Sequence, residues 1–210
     1  MRRVHAALHH RVPHIRTVCS SACSSMPLLT SPTNEHLRLL HRLHSRKHRE
    51  RTGMMLLEGR RLVSDALDAG MRPEFAVFAD PLDGAQLPLA TALAAAMPAG
   101  SVMRAPKRFV ARVSDTRTPQ GVLAALKQAS RPLPSAPTLV LGCDGVSDPG
   151  NLGTLLRSAA GAGAQSALLL PGCCDAWGLK ALRAGMGAQL RLPTRAVGSW
   201  DECRAMLDGW

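Results

Sequence analysis

Between residues 144 and 164 the chain runs DGVSDPGNLGTLLRSAAGAGA, a stretch that gathers residue types suited to handling a phosphate. Asp148-Pro149-Gly150 forms a turn, and Asn151, Gly153 and Arg157 stand at the opening of a helix expected over 151–160. Glycine at 150 and 153 removes side chains, so a ligand can approach the backbone. Free amides at a helix start attract an anion. Arg157 lies close to the face shared with Gly153, and its guanidinium can grip a phosphate through two parallel hydrogen bonds, which lysine does less well. The spacing is not G-x-G-x-x-G, and no Lys-Ser or Lys-Thr follows, so this is neither a dinucleotide fingerprint nor a Walker loop. Taken alone, the stretch also fits an ordinary strand-to-helix turn with a surface arginine.

In open α/β sheets, ligands sit beyond the carboxyl ends of strands. TLVLGCDGV, just upstream, is such a strand. A helix, the strand QSALLLPG, a helix around AWGLKALRAGMGA, the strand LRLPTRAV and the amphipathic helix SWDECRAMLDGW follow it. QASRPLPSAP at 128–137, with three prolines and two serines, is linker chemistry and places a boundary there. Before it, strands GMMLLEG, EFAVFAD, SVMRAP and PQGVLAALK alternate with three helices, with Gly70 as the stop of the first. That alternation predicts a small α/β domain over 34–127 with a mostly parallel sheet.

The helix predicted in NEHLRLLHRLHSRKHRERTG carries Leu37, Leu40 and Leu43 at helical spacing, with Asn34 as N-cap. Arg38, Arg42, Arg46, Lys47, Arg49 and Arg51 surround that stripe. They form either a solvated face or a row of phosphate contacts. Histidines 36, 41, 44 and 48 lack nearby carboxylates or cysteines, so solvation outweighs metal binding and no metal site is expected.

With 26 Lys and Arg against 15 Asp and Glu, the 210-residue chain has a formal net charge of +11, which suggests a polyanionic partner. Hydrophobic residues at 46% suffice for a core, and aromatics at only 3% leave it to aliphatic side chains. The polyanionic partner is either nucleic acid or an anionic membrane surface; no run of eighteen apolar residues exists, so no transmembrane helix is expected, and RNA is preferred to a membrane as the partner. The six cysteines form no C-x-x-C pair and are expected to be reduced structural thiols. Residues 1–33 contain four arginines and a serine-rich tract but no Asp or Glu, the composition of an organellar transit peptide, mitochondrial before chloroplast.

LVLGCDGVSDPGNLGTLLRSAAGAGAQSALLL resembles the first motif of the SpoU family of RNA ribose 2′-O-methyltransferases, in the SPOUT superfamily. GLKALRAGMGAQLRLPT is similar to the segment that follows in that family. SRKHRERTGMMLLEGRRLVSDALDAG, with Glu58-Gly59, and VSDTRTPQGVLAAL resemble its substrate-binding domain. The resemblance implies transfer of a methyl group from S-adenosylmethionine to a ribose 2′-hydroxyl, in rRNA before tRNA, and a homodimer in a complete form. It implies that Asn151 organises the site and Arg157 acts at the target nucleotide, with Asp148, Gly150 and Gly153 in the active-site loop. Lys180 and Arg183 bind RNA or cap a helix face.

Two departures accompany the match. Gly185 stands where the family usually has serine. The family's glycine-glutamate-glycine segment and its final motif, which make the knot and most of the donor pocket, do not occur. The expected fold is therefore α/β: a small substrate-binding domain followed, over 138–210, by a shortened SPOUT domain without the knot. A non-catalytic RNA-binding protein of the same parts is the alternative. A nucleotide-binding oxidoreductase is disfavoured, for want of a glycine fingerprint and its acidic partner.

Overall fold

The computed structural model describes residues 26–128 and 131–209. Most of the expected leader, with Cys19 and Cys23, lies outside the described residues. Two sheets organise the rest.

The first sheet contains β1 (Met54–Glu58), β2 (Phe75–Asp80), β3 (Val102–Pro106) and β4 (Val122–Lys127), in the order β1-β4-β2-β3. Strand β4 pairs antiparallel with both β1 and β2, and only β2 and β3 run parallel. The mostly parallel sheet expected from strand–helix alternation is therefore corrected to a mixed one. Strand β4, last in sequence, inserts between the first two and reverses direction. Alternation of elements records which connections carry helices, not where a returning strand docks.

The strands are apolar runs because both faces are covered. Met55 and Leu57 of β1 face α3 (Arg60–Asp68) and α4 (Leu87–Ala96), packing in one core with Leu62, Val63, Ala90 and Leu93. Leu56, between them, joins the opposite core with Leu37, Leu40 and Leu43 and with Phe109, Val110 and Val113 of α5 (Lys107–Val113). That switch of face at every residue is the strand period of two. Gly70, just past the end of α3, takes the left-handed conformation with φ of 77°.

The single basic helix expected near 36–51 is two: α1 (Glu35–Arg42) and α2 (Arg46–Thr52). Asn34 caps α1, its side chain accepting from the His36 amide at 2.9 Å. The break has a local cause. Arg49 folds back and donates to the carbonyls of Leu43 and His44, each at 2.7 Å, satisfying groups that a continuous helix would bond internally.

The second sheet holds three parallel strands among the described residues: β5 (Val140–Cys143), β6 (Ser166–Leu169) and β7 (Thr194–Ala196), in that order. Its helices are α6 (Pro149–Gly161), α7 (Leu179–Ala184) and α8 (Trp200–Asp208), with a 3-10 turn at Ala188–Leu190. Ser199 and Glu202 cap α8 reciprocally, through Ser199 Oγ accepting from the Glu202 amide at 3.1 Å and the Glu202 carboxylate from the Gly198 amide at 2.6 Å. Helices α6 and α7 cross at Gly153. A Cβ there would lie 2.3 Å from the Ala181 carbonyl oxygen and 2.7 Å from the Gly185 nitrogen. No helix among the described residues is long and apolar enough to cross a membrane.

The two sheets meet through α7 and the turn after it. Leu182 and Leu190 complete the α3–α4 core, and Leu179 completes the other.

Candidate active site and nucleic-acid interface

Asp148 is the N-cap of α6. Its Oδ1 accepts from the Asn151 amide at 2.8 Å, and its Oδ2 pairs with Lys180 Nζ at 2.9 Å. The Lys180 hydrogen bond first, and the Asn151 amide after it, hold the Asp148 carboxyl below the usual carboxylate range. The anion expected at the helix start is therefore the chain's own. Lys180 joins this cap and is exposed on its outer side. A Cβ on Gly150 would lie 2.9 Å from Asp148 Oδ1, so Gly150 makes room for the cap. Gly153 is buried against α7 and serves helix packing rather than ligand approach.

Asn151 is exposed on the first turn. Arg157, one turn past Gly153 on the same face, clears the end of α7, and its Nη1 donates to Met186 Sδ at 3.2 Å. The guanidinium is otherwise open to solvent, held by one soft acceptor. Met186 is a non-glycine residue with φ of +48°, a conformation of order 1–3 kcal/mol in cost. It is fixed by its amide bonding to Arg183 O at 3.0 Å and by Gly187 N bonding to Leu182 O at 3.0 Å. These bonds end α7 and present an exposed Met186 side chain beside Arg157.

Glu58, buried at the end of β1, accepts from Ser114 Oγ, from the Asp115 amide at 3.1 Å and from Thr116 Oγ1 at 2.7 Å. Arg183 reaches this group from α7, with Nη1 3.7 Å from Glu58 and Nη2 donating to Asp115 at 2.8 Å. Arg183 is thus a tie between the two sheets' elements, and neither reading of it from sequence describes this. Arg49, expected on the RNA face, is only 5% exposed. Its Nε and Nη2 donate to Asp175 at 2.9 and 2.5 Å, a second tie between the sheets' elements that removes it from any solvent-facing row.

Arg38, Arg42, Arg46 and Lys47 are exposed. Arg46 shares its charge with Glu50 at 2.7 Å. Arg42, Lys47, His48 and Arg51 line a groove of about 400 Å3, and Arg38, Arg42 and Arg112 line an adjoining hollow of about 310 Å3. Desolvation, with Arg51 and Arg42 nearby, lowers the His48 pKa. These residues form a continuous cationic surface across α1, α2 and α5.

Between the two sheets, a cleft of about 320 Å3 is lined by Glu58, Gly59, Leu62, Thr116, Gln120 and Met186, among others. Asp115, Gln120 and Met186 were not legible as site residues. They lie within the quoted VSDTRTPQG and RAGMG stretches, which mark no role for them individually.

Among the described residues, no group of three His, Cys, Asp or Glu is placed to hold a metal, and four cysteines are free thiols. Burial pushes the Cys143 thiol up to about 11. A methyl-donor pocket would belong at the carboxyl ends of the second sheet, where a cavity of about 350 Å3 is lined by residues 169–177, by Thr194, Ala196 and Val197, and by Arg46. Most of its polar side chains are already engaged: Arg46 with Glu50, Asp175 with Arg49 and the Trp177 amide, Thr194 Oγ1 with Leu192 O, and Cys173 with Cys143 O, leaving Cys174 as a free thiol. The described residues therefore do not assemble a seat for the ribose and amino-acid groups of S-adenosylmethionine.

Two family models match, the MRM3-like substrate binding domain over residues 34–124 and the SpoU rRNA Methylase family over residues 138–209. The human protein named rRNA methyltransferase 3, mitochondrial, is 42% identical over 165 residues, covering 75% of this chain and 38% of its own length. The chain thus spans well under half of that relative. An AdoMet-bound rRNA methyltransferase from Sinorhizobium meliloti superposes with a TM-score of 0.74 at 28% identity, covering 88% of this chain and 69% of the other. An RNA 2′-O ribose methyltransferase superposes with a TM-score of 0.68 at 30% identity, covering 86% and 69%.

Proposed function

The chain belongs to the SpoU rRNA methylase family, and we propose that it takes part in methylating a ribose 2′-hydroxyl of mitochondrial ribosomal RNA, with S-adenosylmethionine as donor. The observation that carries this reading is Arg157, exposed and bonded to Met186 where Met186 lines the cleft between the two sheets, with a cationic surface at α1 and α2. The mitochondrial assignment draws on the human relative's name and on the arginine-rich, acid-free composition of residues 1–33. The unit at 34–127 holds RNA, the segment 128–137 joins, and the unit from 138 onward presents the reacting nucleotide. Association of two copies in a complete form is part of the same proposal.

The chain's own residues act on the acceptor. Arg157 donates to the phosphate beside the target ribose and to the oxygen on which negative charge develops. Guanidinium keeps its proton, so Arg157 acts by electrostatic stabilisation, and the hydroxyl proton passes to solvent water as the O–CH3 bond forms. Asn151, on the first turn of the same helix, orients the nucleotide. Lys180 keeps the Asp148 cap closed, and Gly153 lets α7 approach until Met186 sits under Arg157. Arg38, Arg42, Arg46 and Lys47 contact backbone phosphates away from the reacting sugar.

The test is transfer of labelled methyl groups to rRNA transcripts by the wild-type protein and Arg157→Lys, in whatever assembly supports transfer. Loss of one preorganised donor predicts a fall of about 100-fold or more, with folding unchanged. Near-normal transfer by Arg157→Lys would refute the need for a planar, two-pronged donor.

A further inference from the structure

We propose that residues 26–33 are a permanent strap of the mature protein, and that a leader-removing endopeptidase cuts between Arg16 and Met26, a proposal that rests on the mitochondrial reading above. The acid-free stretch over 1–33 divides internally. Arg2, Arg3, Arg11 and Arg16 and all four of its histidines precede residue 17. MPLLTSPT, residues 26–33, carries no charged side chain and adds nothing to the cationic character of a leader.

The fold uses this segment. Strand β3 stands at one end of the first sheet's order, and the segment runs parallel along its outer side. Leu28 bridges to Arg104, the Leu29 amide donates to the Arg104 carbonyl at 2.7 Å, and the Arg104 amide donates to the Pro27 carbonyl at 2.8 Å. The Arg104 side chain ties the same place, with Nε donating to the Met26 carbonyl at 3.4 Å and Nη1 to Asp80 at 2.8 Å. Without the strap, β3 would present a row of unpaired backbone groups to any other chain. Met26, 3% exposed, enters the core of Phe78, Leu93 and Val102. Leu29, 8% exposed, enters the opposite core of Val77, Met103 and Phe109. The strap thus places one apolar anchor on each face of the sheet. The Asn34 amide then donates to the Ser31 carbonyl at 3.2 Å, a turn that leads into the cap of α1.

Removal of the leader is a hydrolysis. One water is consumed, one amide C–N bond breaks, and a carboxylate is left on the leader and a free amine on the mature chain. A cut at the Ser25–Met26 bond or upstream of it keeps both anchors. A cut beyond Met26 empties its place in the first core, and one beyond Leu29 empties both and strips the ladder from β3. The leader is therefore shorter than the acid-free stretch, and its last eight residues belong to the substrate unit.

The experiment expresses the full chain in cells, recovers it from purified mitochondria and identifies its amino terminus by labelling the free α-amine before digestion and mass spectrometry. A terminus between residues 17 and 26 is expected. A cleaved terminus at residue 27 or later, or one upstream of residue 17, overturns the proposal. A chain kept whole, or one excluded from mitochondria, overturns the mitochondrial reading instead. Thermal melting of the full chain tests the strap separately. Met26→Ala combined with Leu29→Ala is expected to lower Tm by about 10 °C, because it truncates one anchor in each core. Leu28→Ala, at a side chain 45% exposed between them, is expected to stay within about 2 °C of wild type. A double variant that melts with wild type overturns the strap wherever the terminus lies.

Discussion

Arg49 and Arg42 are seven residues apart in one basic run, yet they belong to different regions with opposite electrostatics. Arg49 is 5% exposed and uses four of its five N–H donors, two on Asp175 and two on backbone carbonyls. Arg42, with Lys47, lines an open groove. The junction between the sheets uses guanidinium for its several rigid donors, whereas the outer face uses cations as mobile charge. Residue type alone does not separate stability from recognition; burial and partner count do.

Arg49→Ala should produce the largest effect on that contrast. It leaves Asp175 in a half-closed site without its cation, and breaking such a pair costs about 3–5 kcal/mol. Chemical denaturation should show the midpoint falling sharply. A loss under about 1 kcal/mol would place Arg49 with the surface cations after all. The Arg157→Lys assay described above sits next in magnitude, because it affects transfer without affecting the fold.

On the outer face, Arg42→Ala combined with Lys47→Ala should leave stability within about 0.5 kcal/mol. It should reduce the slope of log affinity against log salt by about 1.4 for single-stranded RNA, about 0.7 per lost phosphate contact. An unchanged slope would show that the groove faces away from the nucleic acid.

The smallest effect concerns the Asp148–Lys180 cap, which is exposed. The folded-state pKa of Asp148 is depressed, so its contribution to stability is present above the unfolded aspartate value and disappears as pH falls through the folded one. Lys180→Met removes the first cause of that depression. The acid limb of the stability curve should therefore move slightly toward neutral pH, which thermal melts from pH 2 to pH 6 would register.

The motif region was the most legible part of the chain. The turn at 148–150, the helix after it and the proximity of Gly153 to Arg157 follow from local spacing, because caps and helical period are short-range properties. The purpose of Gly153 was not legible. Its contact, Ala181 O, lies 28 residues away, and a glycine that admits a neighbouring helix looks the same in sequence as one that admits a ligand. The break between α1 and α2 was hidden for a similar reason. The leucine stripe at 37, 40 and 43 continues through it, and the Arg49 side chain that interrupts the carbonyl ladder is itself a good helix former. Strand order in the first sheet depends on where β4 returns, a question of tertiary packing that its apolar run VLAALK does not answer.

The position of β4 also governs how this protein can be made. Because it bridges β1 and β2, those two strands have no direct ladder to each other, and among the described strands of the amino-terminal half the ladder that can form before β4 emerges is β2–β3. The nascent unit stays open until residues 122–127 arrive to close it in one late, cooperative step, a delay typical of folds that depend on distant strand pairing.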